Sequence, residues 1–262
     1  MHSRTIARLS RFTCTAMLLA SFASPVAAGS TIVAAAASVQ FALQDIAIAF
    51  TDETGEQLKL SFGSSGNLQR QILQGAPFEL FLSADEGYVR NLYRAGATVD
   101  EGTVYALGRI VLITARPSVL SLDPELKGLA QSLDAGRIAR FAIANPEHAP
   151  YGIAAMQALQ AAGLWQRMKP HFVFGESVAQ AAQFALSGNA EGGIIAYSLA
   201  LQTRSRANSH YVLIPTNRHE PLRHRMVLLK NAGATARAFY VFLQSPPAQA
   251  AFRRYGFGPP DS

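Results

Sequence analysis

The chain has 262 residues, 49% hydrophobic and only 15% charged, which is enough apolar material for one large or two medium domains and excludes a disordered chain. Its 23 basic and 17 acidic residues give a formal +6, with no basic run and no interleaving of aromatic and basic residues, so no nucleic-acid footprint appears. The only cysteine is Cys14, near the start, and the rest of the chain has no thiol for a disulfide or a cysteine-held metal.

The first 28 residues read as a secretory leader. Arg4, Arg8 and Arg11 form a basic region, Thr15–Phe22 an apolar one, and Pro25-Val26-Ala27-Ala28 offers small residues for cleavage after Ala28. The apolar run is too short to span a bilayer. Loss of the leader removes three basic residues and leaves a mild +3. Cys14 lacks the small residues that should precede a lipid-attached cysteine. A cysteine-free exported chain of this size suits a bacterial periplasm.

Thr31–Ala35 is expected as a strand, followed by Ser38 as the N-cap of a helix from Val39 to about Thr54 that ends at Gly55. Leu58–Phe62 is the next strand. It breaks into Gly63-Ser64-Ser65-Gly66, and a short helix follows with Leu68, Ile72 and Leu73 on one side. Phe78–Leu82 reads as a strand and Gly87–Ala95 as a helix. Tyr105–Ala115 (YALGRIVLITA) is an apolar run interrupted at Gly108-Arg109, long enough for one strand crossing between two domains. Leu126–Leu133 is expected helical and Arg140–Ala144 extended. Pro150 then opens a helix to about Ala162, leaving the N–H groups of Tyr151 and Gly152 exposed. Phe172–Phe174, Gly192–Ala196, Tyr211–Pro215 and Arg223–Lys230 read as strands. Ser177–Leu186, Ala234–Leu243 and Pro247–Arg254 read as helices.

Strands alternating with helices point to an α/β chain with largely parallel sheets, arranged as two lobes joined by crossing strands. The expected division is 29–107 plus 219–262 for one lobe and 108–218 for the other.

The motifs of common enzymes are missing. Gly63-Ser64-Ser65-Gly66 is not a nucleophile elbow, because Asn67 stands where the last glycine belongs. His148, His171, His210, His219 and His224 sit in no recognisable catalytic frame, so a serine hydrolase would need one of them brought to Ser64 or Ser65 by folding. No helical His-x-x-x-His pair, calcium loop, Gly-x-Gly-x-x-Gly or Walker loop occurs. What remains is a set of nearly uncharged donors at helix starts: Ser38, Ser64, Ser65, Tyr151-Gly152 and Ser177-Val178. Each serine is also simply a good cap. Ligands of open α/β sheets collect at the carboxyl ends of strands, where these groups lie.

Five blocks in order carry a resemblance: AAAASVQFALQDIA at 34–47, FGSSGNLQRQILQGAPFELFLSAD at 62–85, AIANPEHAPYGIAAMQAL at 142–159, GESVAQAAQFALSGNAEGGI at 175–194 and FYVFLQSPPAQAAFRRYGF at 239–257. Together they resemble the periplasmic molybdate-binding proteins of ABC uptake systems, over Thr31 to Phe257. The resemblance implies a type II periplasmic binding fold, two lobes with a hinge and a ligand cleft between them. It implies no enzyme activity and no cofactor. The ligand would be molybdate or tungstate, so molybdenum enters only as the oxyanion, and the partner would be a membrane permease, with the binding protein a monomer. By position, the contacts implied are Ser38, Ser65, Tyr151 and Val178, with Ser64 adjoining. Some members add a tyrosine on the later strand, where this chain has Ala196 and then Tyr197. Where relatives often have Tyr-Pro, this chain has His224-Arg225. Alternatives are a binder of sulfate or an anionic organic solute, a sensor without transport, and a secreted serine hydrolase.

Overall fold

The computed structural model describes residues 30–204 and 209–260, so the expected leader, with Arg4, Arg8, Arg11 and Cys14, lies outside the described residues. In the first part of the chain, β1 (Thr31–Ala36), α1 (Gln40–Thr54), β2 (Leu58–Gly63), α2 (Ser65–Leu73), β3 (Leu80–Ser83), α3 (Glu86–Arg94) and β4 (Thr103–Gly108) follow one another. Next come β5 (Ile110–Ala115), α4 (Lys127–Asp134), β6 (Phe141–Ala144), α5 (Pro150–Ala161), α6 (Trp165–Met168), β7 (Phe172–Gly175), α7 (Val178–Leu186), β8 (Gly192–Ala196), α8 (Tyr197–Arg204) and β9 (Ser209–Leu213). β10 (Leu222–Leu228), α9 (Ala234–Phe242) and α10 (Pro246–Arg254) close the chain.

The strands form two five-stranded sheets, β2-β1-β3-β10-β4 and β7-β6-β8-β5-β9. Both are mixed. β1 runs parallel to β2 and β3, and β6 to β7 and β8, while β10 and β5 pair antiparallel with both of their neighbours. The expectation of largely parallel sheets is corrected here. A strand that crosses directly from one sheet into the other, with no helix to reverse it, arrives antiparallel to the βαβ units there.

The run YALGRIVLITA accomplishes that crossing. It is not one strand: β4 and β5 lie in different sheets with Arg109 between them. The chain returns between β9 and β10.

Alternation along the central strands sorts the first sheet's core. Val33, Ala35, Leu80 and Leu82 face α1, α9 and α10, where Leu43, Phe50, Phe239 and Phe252 fill the layer. Ala34 and Phe81 point the other way, to Leu68 and Ile72 of α2 and to Val89 and Leu92 of α3. Each such buried side chain contributes about 1.5–3 kcal/mol. In the second sheet β5 is buried on both faces, which explains its unbroken apolar sequence.

Three local expectations change. Ser38 does not cap α1. It lies in a 3₁₀ turn, Ala37–Val39, and Val39 precedes the helix without a side-chain cap. Leu73 is 53% exposed, because α2 ends there and only Leu68 and Ile72 reach the sheet. The helices α6 and α8 are additional to those expected, and α6 has only four residues, too few to show a period.

Candidate functional site

Paired strand ends create the site. β1 and β2 run in register to Ala36 opposite Gly63, and β6 and β7 to Ala144 opposite Gly175. On each sheet, therefore, two neighbouring strands finish together and the chain turns into a helix or 3₁₀ turn just beyond. Ser38, Ser64, Ser65 and Ala84 from the first sheet meet Ala149, Pro150, Tyr151 and Val178 from the second around one small void. No ionisable carboxylate, lysine or arginine lines it. Ser38, Ser65, Tyr151 and Val178, separated by up to 140 positions, thus share one cavity with Ser64, whereas Ala196 and Tyr197 do not line it.

The hydrogen-bonding state of these groups makes the cavity a set of donors. Ser65 is buried, and its Oγ accepts the Ala84 N–H at 2.9 Å, which leaves the hydroxyl proton free to point elsewhere. Ser177 caps α7 by accepting from the Gln180 N–H, so the Val178 N–H in the first turn keeps no backbone acceptor among the described residues. The Tyr151 N–H stands the same way, just behind Pro150 at the start of α5. Such helix-start amides carry partial positive charge. Ser38 Oγ is buried and forms no hydrogen bond of full geometry.

Behind Ser38 lies a second, deeper group of polar atoms. Tyr151 Oη stands 3.2 Å from Nε2 of His224, whose Nδ1 is 3.1 Å from Tyr105 Oη. Burial pushes the His224 imidazole down to about 3, so it is neutral at physiological pH. Burial also drives the Tyr151 hydroxyl well above its usual value, against a smaller pull from the Ser38 hydroxyl and the Arg109 guanidinium. The phenol is therefore a donor and never a phenolate.

The two halves also touch beside the void. Gly66 N donates to His148 O at 2.9 Å, Ser64 Oγ lies 3.0 Å from His148 Nδ1, and Asn67 Nδ2 donates to Glu176 at 3.4 Å. Ser198 Oγ donates to Ser38 O at 2.7 Å. Gly66 permits this approach, since a Cβ there would stand 2.7 Å from His148 O.

His148 was one of the histidines without a sequence frame, and folding brings it to Ser64. Its other nitrogen is 3.5 Å from Glu176, which is largely exposed. That is too long for a hydrogen bond that orients a base, and Ser64 Oγ sits in a seam between the halves.

Tyr197 starts α8 with its ring under the Arg109 guanidinium, 4.8 Å from the ring centre, and Ala196 is buried opposite Ile110. Arg225 does not line the void either. It bonds Glu86 and the carbonyls of Glu101 and Gly102. The sequence names His148 and His224 only as histidines without a catalytic frame and gives no sign of Tyr105 as a companion of His224, because their partners are distant in the chain.

Two mixed α/β sheets with a donor-lined void at their facing strand ends define a two-lobed solute-binding protein. The profile described as "Bacterial extracellular solute-binding protein" matches residues 31–258, and the chain belongs to that family. It is 36% identical to the molybdate-binding protein ModA of Rhodobacter capsulatus over 243 residues, 92% of each chain. It is 35% identical to ModA of Azotobacter vinelandii, over 86% of this chain and 88% of that one. The solved periplasmic molybdate-binding protein of Azotobacter vinelandii superposes with a TM-score of 0.79 at 30% identity, covering 87% of this chain and 98% of that one.

Proposed function

We propose that this protein captures molybdate, and also tungstate, outside the cytoplasmic membrane and hands it to an ABC-type permease. The observation that carries the reading is the cavity itself: hydroxyls of Ser38, Ser64 and Ser65 and amides of Tyr151 and Val178, from both sheets, around one small void with no ionised side chain. Its water-accessible space of about 10 Å³ is far below the roughly 300–1,000 Å³ of ordinary organic-ligand pockets, which disfavours a bulky organic solute. The names of the relatives point to the same ion.

A dianion entering this cavity exchanges water for charge-assisted hydrogen bonds worth roughly 1.5–3 kcal/mol each. Four to six of them give about 6–18 kcal/mol before the costs of ordering and closure. Submicromolar binding needs about 8 kcal/mol. A cation in the cavity would add a second charge to desolvate.

Donors alone also select. Phosphate retains a proton near neutral pH and needs a strong acceptor, and no carboxylate lines the cavity to take it. Sulfate is smaller than molybdate and would leave some donors out of reach. Molybdate and tungstate are nearly the same size, so the cavity takes both.

The lobes of this reading follow the two sheets, with crossings at Arg109 and between β9 and β10, and close as rigid halves on the anion. The protein works as a monomer in the periplasm, without cofactor or catalysis. Calorimetry with molybdate, tungstate, sulfate and phosphate tests the proposal. Submicromolar binding of the first two and far weaker binding of the others is expected, and sulfate binding equal to or tighter than molybdate overturns it.

The Ser64–His148 contact favours one rival, a serine hydrolase. Against it stand the remote Glu176 and the family of binding proteins. Hydrolysis of an activated ester above background, abolished by Ser64→Ala, would establish the rival.

A further inference from the structure

A line of polar groups runs from the core of the first sheet to the cavity wall. Tyr105 on β4 and His224 on β10 are fully buried and meet at 3.1 Å through Nδ1. His224 Nε2 meets Tyr151 Oη of α5 at 3.2 Å, and the Tyr151 hydroxyl adjoins Ser38. The crossing between halves is tight. At Gly108, the last residue of β4, a Cβ would stand 2.4 Å from Tyr151 Oη and 2.9 Å from His224 Nε2.

Hydrogen-bond satisfaction fixes the direction of this line. A neutral imidazole has one N–H and one lone pair. Among the described residues the Tyr105 hydroxyl has His224 Nδ1 as its sole partner. A proton on Nδ1 would donate to Tyr105 and strand the phenolic proton in the core without an acceptor. With the proton on Nε2, Tyr105 donates to Nδ1, and Nε2–H donates to Tyr151 Oη. Every group is then satisfied, and the Tyr151 proton must leave toward Ser38, whose Oγ is buried and unpartnered. Once Ser38 Oγ accepts it, the serine's own proton faces the cavity. Ser65 shows the same arrangement, its acceptor side filled by the Ala84 N–H.

We propose that His224 is a positioning residue for anion capture: held between two tyrosines with its proton on Nε2, it turns Tyr151 toward Ser38 and leaves Ser38 a donor only toward the bound dianion. The inference rests on the reading of the cavity as an oxyanion site.

The tautomer is measured first, by ¹⁵N-histidine NMR on the unaltered protein without anion. A neutral His224 protonated at Nε2 is expected at pH 7, and a proton on Nδ1 or on both nitrogens overturns the proposal. Calorimetry with molybdate follows on His224→Phe, Tyr151→Phe and the double variant. Each single change should weaken binding about tenfold, the loss of one oriented charge-assisted bond, and the double variant should bind no more weakly than Tyr151→Phe alone. Independent, multiplying losses overturn the proposal, as does an unchanged affinity in His224→Phe. His224→Gln, which keeps an N–H for Tyr151, should recover part of the affinity. Absence of binding to any oxyanion by the unaltered protein defeats the oxyanion reading and this role together. The wrong tautomer with intact binding defeats the role of His224 alone.

Discussion

The two halves of the cavity are built from different chemistry. The first sheet contributes side-chain hydroxyls, Ser38, Ser64 and Ser65, set just past β1 and β2. The second sheet contributes main-chain amides at the starts of α5 and α7, where the side chains of Tyr151 and Val178 have other tasks. The contrast matters for reading sequence. A hydroxyl donor is written in the residue type, whereas an amide donor is written only in where a helix begins, so the donor at Val178 survives a change of side chain that would remove the donor at Ser65.

Substitutions can break this contrast or sharpen it. The largest effect is expected from Gly66→Ala, which places a methyl 2.7 Å from His148 O and holds the halves apart, so that all donors cannot reach one ion together. Molybdate affinity should fall by more than the roughly tenfold expected for one charge-assisted bond, and an unchanged calorimetric affinity would show that the seam does not govern capture. Next come two single-donor losses, one in each half. Ser65→Ala removes a hydroxyl and strands the Ala84 N–H, and should weaken binding about tenfold or more with the fold retained by circular dichroism.

Val178→Pro is its counterpart in the second half. Proline is accepted at the first position of a helix, and Ser177, at φ −143° and ψ 166°, already has the extended geometry a following proline requires. The change therefore deletes one N–H with little else, and about a tenfold loss is expected. Val178→Ala keeps the amide and should bind within about twofold of the unaltered protein, since its donor is untouched. Equal losses in the two Val178 variants would mean that the side chain, and not the amide, makes the contact.

The smallest effect concerns pH. His224 titrates at about 3 in the fold against 6.5 ordinarily, because burial disfavours its charged form. Below 6.5 the unfolded chain takes up a proton that the native one refuses, so this contribution is complete above pH 6.5 and is lost as pH falls toward 3. The slope is about 1.4 kcal/mol per pH unit at most. Burial also lowers His219, which adds in the same direction. Urea unfolding between pH 4 and 7 should show the decline, and His224→Phe should flatten it.

Much of the arrangement could be read from the chain because it is local. Gly63-Ser64-Ser65-Gly66 announces a strand ending in donors, and Pro150 announces a helix whose next amide is free. Ser38 was legible as a donor but not as what it is: it caps no helix and lies buried within a 3₁₀ turn ahead of α1. The run 105–115 showed that a crossing exists but not that it is split between two sheets. His148 and His224 were opaque for a plainer reason. Their partners are 84 positions away for Ser64, and 119 and 73 for Tyr105 and Tyr151, and no local pattern encodes a meeting that only the packing of two sheets creates.

The split at Arg109 has a mechanical consequence. A single residue separates β4 from β5, so a rotation between the sheets has almost no slack on that side and must be absorbed by a few backbone torsions. The Arg109 side chain fastens the same point at both ends, donating to Gly256 O at 3.0 and 2.8 Å in the first half and lying over Tyr197 in the second. Any turn of one sheet against the other would therefore have to carry or break the Arg109 contacts, which makes this single residue the clamp on the crossover.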